Sequence, residues 1–329
     1  MTKKILGLLV ALCLIVGLLP MAALADAPAS VIFTLVDSTI TTTDVKNVTV
    51  NKGEAKYYKN AAATVSSVEF KVVEETTETA KWNLKLEYGD DGAVITMDGL
   101  DYECWTGIGF GKLTASGKLA SGAAALDVPV KVVVVGNSTI KNKSESGGSY
   151  YHQNAALNLH AAGVATIESV EDAKLTLIGN NNGVAKGTLN VANDLVLNGA
   201  NINIQGEATW GDGAAIVAGN DVTIKGGKLE VFLSKYETKA IICKDLAITE
   251  AAKVVVKDVN QWSSSQAPVV VADTVAVNGA NVAIGVHCST GKAFSNAPTV
   301  TNCDSAKAGR GNPIWDANNN ITGGLTEDY

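Results

Sequence analysis

Short runs of alternating apolar and polar residues recur along the second half of the chain. The motif Asp-apolar-x-apolar stands at Asp194-Leu195-Val196-Leu197, Asp221-Val222-Thr223-Ile224 and Asp245-Leu246-Ala247-Ile248, with a fourth copy one residue longer at Asp273-Thr274-Val275-Ala276-Val277. The aspartates are 27, 24 and 28 residues apart. A second run follows each: Ile202-Asn203-Ile204, Leu229-Glu230-Val231, Val254-Val255-Val256 and Val282-Ala283-Ile284. A third precedes each aspartate: Leu189-Asn190-Val191, Ile216-Val217, Ile241-Ile242 and Val269-Val270-Val271. Two stretches nearly copy each other, LNGANINI at 197–204 and VNGANVAI at 277–284. Upstream, Leu175-Thr176-Leu177 lies 27 residues before Ile202, and Ile140, Ile167 and Leu195 extend the series backwards.

Period-two alternation is the mark of a half-buried strand. Turn residues separate the runs: Asn198-Gly199, Gly226-Gly227, Asn278-Gly279. Three strands in a repeat of about 26 residues leave no room for a helix of ~10–12 residues, which excludes βαβ units. A β-sandwich would need the regular spacing to be coincidental. The expected fold is all-β: a right-handed parallel β-helix with about 24–29 residues per turn, equivalent strands stacking ~4.8 Å apart. About six turns are expected between residues 130 and 290. Residues 26–92 hold longer alternating strands (VIFTLVDSTITTT, KNVTV, SSVEFKVVEE, KWNLKLEYG) and read as an N-terminal β cap or a small β-domain. The coil is expected over 93–303, with 93–129 as irregular first turns. Residues 304–329, rich in Gly and Asn, read as a polar C-terminal cap folded over the last turn, with Ile314 and Trp315 as its apolar plug.

Residues 1–25 have a different character. Lys3 and Lys4 precede an apolar run from Ile5 to Leu19, then Pro20 and the small-x-small site Ala23-Leu24-Ala25. This is the pattern of a signal peptide cleaved before Asp26, which predicts a secreted or cell-surface protein. No later run of 18 apolar residues occurs, so the mature chain is not expected to span a membrane. Cys13 leaves with the signal, and Cys104, Cys243, Cys288 and Cys303 remain. An even number in an exported chain allows two disulfides or four thiols, and Cys288–Cys303 is the nearest pair. The 329 residues carry 33 acidic and 26 basic side chains, a formal charge of −7, with a single arginine, Arg310. That balance argues against a nucleic-acid partner.

The segments DGAVITMDGLDYE (91–103), VVVVGNSTIKN (132–142), AKLTLIGNNNGVAKGTLNVANDLVLNGANINI (173–204) and AAIVAGNDVTIKGGKLEV (214–231) carry a resemblance. They resemble the secreted carbohydrate-binding β-helix surface proteins of Gram-positive anaerobic bacteria, the cellulose- and pectin-binding type, and repeats of related adhesins. The resemblance covers roughly residues 90–290. It implies binding of a polysaccharide or cell-surface glycan, often with calcium.

Candidate chemistry follows the repeat. Trp210, Tyr236 and Trp262 each come after the second strand of a repeat and are spaced by 26 and 26 residues. Equal spacing on a coil places them in a column. There they either stack against sugar rings or fold back to shield their loops. Asp212, Glu237, Gln261 and Ser263 to Ser265 would take the sugar hydroxyls. The aspartates Asp194, Asp221, Asp245 and Asp273 form a second column, which serves either as Asx-type turn caps or as oxygen ligands for calcium. Asn180 to Asn182, Asn198, Asn201 and Asn203 suit hydrogen-bonded ladders, and Lys225 and Lys228 are too sparse to form a basic patch. Catalytic groupings are thin. His152, His160 and His287 do not cluster, Asp212 stands isolated in its Gly-Asp-Gly loop with no Gly-His-Gly-like companion, and Arg310 lies outside the repeats. The expected function is non-catalytic glycan binding. The alternatives are a surface-layer or adhesin subunit that self-assembles, and a pectate-lyase-like enzyme.

Overall fold

The computed structural model describes residues 33–35, 54–59, 66–71, 84–89, 92–104, 108–110, 129–142, 155–159, 163–179, 187–206, 214–233, 239–258, 268–289 and 291–328. The signal segment lies outside them. Among the described residues the structure is all-β, and no helix is long and apolar enough to cross a membrane.

The strands form three sheets of eleven, nine and seven strands, here sheets 1, 2 and 3. The chain visits them in that order, again and again. Leu195–Asn198 belongs to sheet 1, Asn201–Gly206 to sheet 2 and Ala214–Ala218 to sheet 3; then Val222–Lys225, Lys228–Leu233 and Lys239–Ile242 repeat the circuit. Within each sheet, successive visits pair in parallel. Leu195 opposes Val222, which opposes Leu246, which opposes Val275. In sheet 2, Leu175, Ile202, Leu229, Val254 and Ile284 form one row. In sheet 3 the row is Leu157, Leu189, Ile216, Ile241 and Val270.

The alternation in the sequence explains the interior. Every second residue of each strand points one way, and those residues are the Val, Ile and Leu of the repeat. Leu195, Leu197, Ile202, Ile204, Leu229 and Val231 are at most 1% exposed. Side chains from all three sheets join one hydrophobic cluster running from Leu84 to Ala308. Burying each such side chain contributes about 1.5–3 kcal/mol. Turns between sheets 1 and 2 need tight backbone. Gly227 has φ +68°, and a Cβ there would lie 2.4 Å from the Ala200 carbonyl oxygen of the turn before.

The step between equivalent positions is not constant. It is 37 residues from Ala93 to Val130 and 35 from Val130 to Ala165, then shortens to 27 from Leu195 to Val222 and 24 from Val222 to Leu246. Two expected alignments therefore shift. Ile140 lies in sheet 2 opposite Leu177, whereas Ile167 lies in sheet 1 opposite Leu197, so they are not equivalent. Val254 opposes Ile284, two residues beyond Val282.

Both ends of the stack carry antiparallel strands. Glu54–Lys59, Ser66–Lys71 and Leu84–Gly89 form a meander that continues sheet 1 through the pairing of Leu84 with Met97. Phe33–Leu35 pairs antiparallel with Ile108–Phe110 at the same end of sheet 3. These strands occupy backbone groups that would otherwise be an open edge. At the other end, Ser305–Trp315 begins as the next parallel strand of sheet 2 and then forms a hairpin with Ile321–Asp328. The hairpin returns over the outward face of sheet 2. Ile321 sits on Gly285, the Asn318 carbonyl accepts a hydrogen bond from the Lys228 ammonium, and the Trp315 ring lies by Lys257. The apolar anchor is thus Ile321, 3% exposed, and not Ile314, which is 59% exposed.

Cys243, Cys288 and Cys303 are free thiols. Cys288 follows a strand of sheet 2, while Cys303 precedes the next one, its thiol directed at the Val282 and Ser305 carbonyls, so the nearest pair in sequence is not joined. Burial raises the Cys243 thiol to about 12, with Asp221, Asp245 and Asp273 adding to the shift, and Cys288 to about 11, with Asp258 adding and Arg310 opposing.

Candidate ligand-binding edge

Each passage from sheet 2 to sheet 3 is made by a connecting segment. Residues 207–213 leave after Gly206, 234–238 after Leu233 and 259–267 after Asp258. The departure points are stacked, since Gln205 opposes Phe232, and Phe232 and Leu233 oppose Lys257 and Asp258. The return points are stacked too, with Ala214 opposite Lys239 and Ile241 opposite Val270. The three segments therefore join the same two sheets in consecutive turns. They hold every residue expected to bind ligand: Trp210, Asp212, Tyr236, Gln261 and Trp262, with Glu237 and Ser263 to Ser265. All of these lie outside the described residues, as do His152, His160 and Asn180 to Asn182.

The described residues beside these segments form the outward face of sheet 2. One row reads Ile178, Gln205, Phe232, Lys257 and His287, all partly or well exposed. Lys257 Nζ lies 5.4 Å from the centroid of the Trp315 ring, within cation–π range. Asp258 is only 3% exposed, and its Oδ2 accepts hydrogen bonds from the Ser289 N–H at 3.0 Å and hydroxyl at 2.8 Å, tying one turn to the next. Burial holds the His287 imidazole below its ordinary pKa, against the pull of the Asp258 carboxylate.

The neighbouring outward row is Thr176, Asn203, Glu230, Val255 and Gly285. Glu230 is the hub. Lys174 and Lys228 each reach its carboxylate at 3.0 Å, and Asn203 Nδ2 donates to it at 3.4 Å. Gln205 Nε2 in turn donates to Asn203 Oδ1 at 3.0 Å. Burial opposes ionisation of Glu230, but the hydrogen bonds and charges of the two lysines outweigh it and its pKa falls below the usual value. Sequence reasoning passed over this network, Lys228 included. The 27-residue step from Asn203 to Glu230 was the available signal, and it was read only for the apolar residues on either side.

The aspartate column is partly reproduced. Asp194 and Asp221 each precede the first paired residue of a sheet 1 strand, Leu195 and Val222, and Asp245 pairs at the strand's start. The inserted residue moves Asp273 out of register, so that Thr274 opposes Asp245 and its hydroxyl donates to Asp245 Oδ1 at 2.5 Å. Asp194 Oδ1 accepts from Asn220 Nδ2 at 2.6 Å and from the Asp221 N–H at 3.1 Å. Asp194 and Asp245 thus accept hydrogen bonds that tie one turn to the next. Among the described residues, no group of three or more His, Cys, Asp or Glu side chains is placed to hold a metal ion. One asparagine pair bonds across turns at positions outside the expected set: buried Asn190 donates to Asn158 in sheet 3 at 3.1 Å. Asn198 instead donates to Glu168, and Asn203 to Glu230.

No protein-family model, curated protein or solved structure matches the chain.

Proposed function

We propose that this is an exported, non-catalytic polysaccharide-binding protein whose three sheets close into a right-handed parallel β-helix. The binding edge lies where sheet 2 passes to sheet 3. One observation carries the reading: the segments bearing Trp210, Tyr236 and Trp262 are anchored at both ends on strands in parallel register. On that framework consecutive turns would bring an aromatic residue to the same edge. Aromatic rings repeated at strand spacing suit a sugar chain, since the apolar face of a pyranose stacks on an indole or phenol. Each contact is weak, and repetition on a rigid framework turns several of them into retention. The exposed Gln205 amide beside the edge suits hydroxyl recognition. The shared cluster of the three sheets supports the coil, and the resemblance to glycan-binding surface proteins points the same way.

A glycan array probed with the purified protein, in calcium and again in chelator, tests this. Binding to one class of polysaccharide is the expected result. Loss of that binding in chelator would bring calcium and the aspartate column into the mechanism, and absence of binding to every glycan would refute the proposal.

A further inference from the structure

We propose that Lys257, Trp315 and Phe232 form a subsite selective for a sugar ring bearing an anionic group. It continues the glycan edge onto the outward face of sheet 2, and it rests on the glycan-binding reading above. Phe232 and Lys257 are neighbours across parallel strands, and each lies just before a segment that carries a candidate aromatic. The C-terminal hairpin adds Trp315 to them.

The lysines of these sheets are not alike. Lys131 pairs with Glu168, and Lys174 and Lys228 pair with Glu230. Lys257 forms no ion pair among the described residues, and its ammonium lies over the Trp315 ring instead. The nearest carboxylate in sequence, Asp258, is buried and bonded to Ser289. An ammonium held over an aromatic face keeps N–H donors for a carboxylate or a sulfate, while the rings beside it offer a stacking surface. His287, next in the row, has its pKa depressed by burial and so does not compete as a cation at neutral pH.

The subsite is also pre-placed. Asp316 Oδ1 accepts hydrogen bonds from the Asn318 and Asn320 N–H groups, both at 2.8 Å, which fixes the hairpin turn beside Trp315. Ile321, opposite Trp315 in the hairpin, is pinned on Gly285. A ring fixed in this way loses little entropy on binding.

The test is affinity electrophoresis of the full protein in gels holding a neutral glucan, a polyuronate or a sulfated glucan. Lys257→Gln should weaken retention on the anionic polymers about fivefold, the scale of one exposed ion pair, and leave the neutral glucan unchanged. Lys257→Arg should retain it, and added salt should narrow the difference. Selectivity for polyuronate or for sulfated glucan identifies which anion the site takes. Equal retention of Lys257→Gln and wild type on both anionic polymers, with retention lost in Trp210→Ala/Trp262→Ala, overturns this subsite and leaves the glycan edge standing. No retention of the wild type on any polymer overturns both.

Discussion

Gly285 is where the C-terminal hairpin meets sheet 2, and replacing it measures how firmly the hairpin is held. A Cβ at this position would lie 2.6 Å from Ile321 Cβ and 3.1 Å from its Cγ1. The first distance is below any contact that real Cβ atoms make, and both partners are close to backbone, so the hairpin has to move. Overpacking of this kind costs about 1–3 kcal/mol. Truncating the partner instead, Ile321→Gly, removes a side chain that is 3% exposed and costs about 3–5 kcal/mol, the glycine adding to the cavity. The two losses should not add. With Ile321 reduced to glycine the alanine at 285 has room, so the double variant should be no less stable than Ile321→Gly alone, a coupling of at least about 1 kcal/mol. The readout is hydrogen exchange of the amides between 310 and 328, where the hairpin leaves the parallel ladder of sheet 2, supported by urea denaturation. Additive losses, or a Gly285→Ala protein with unchanged exchange in the hairpin, would refute the packing argument.

Three further outcomes follow from the same geometry. Glu230→Gln should destabilise the protein by about 1–3 kcal/mol at neutral pH, because it leaves Lys174 and Lys228 around a neutral group. The Glu230 pKa is lowered in the folded state, so its contribution is present above the unfolded value near 4.5 and is lost as pH falls through the folded value. Urea titrations of the two proteins should therefore converge at acid pH. Cys243 and Cys288, raised to about 12 and 11, should resist alkylation at pH 8 until denaturant is added, as read by peptide mass spectrometry. Asp194→Ala should cost about 1–2 kcal/mol in urea denaturation through loss of its bonds to Asn220 and Asp221, whereas Asp194→Asn should recover part of that loss.

The parts of the fold that the sequence made legible are those where turns are short and regular. From Leu195 to Val275 the apolar pairs fall where period-two alternation and a step of 24 to 29 residues place them. A constant period fails where the step changes. The first steps are 37 and 35 residues, and a constant period there links Ile140 to Ile167 although they belong to different sheets. It fails again at Asp273, since an inserted residue before a strand shifts its cap while the apolar pair stays in register. The C-terminal hairpin was harder to read. Its anchor is one isoleucine seated over a glycine of another strand, a contact between residues 36 positions apart that leaves no local pattern. For the same reason Lys257 and Trp315 were not paired in advance: neither residue type is unusual where it stands, and only the fold-back of the hairpin brings them together.

The central claim is that aromatic residues delivered by consecutive turns hold a sugar chain. Retention of the purified protein on insoluble polysaccharide, wild type against Trp210→Ala/Trp262→Ala, tests it most directly, with thermal unfolding run alongside. The account predicts that the double variant unfolds at the wild-type temperature and passes into the supernatant. A variant that remains bound as tightly as the wild type would contradict it.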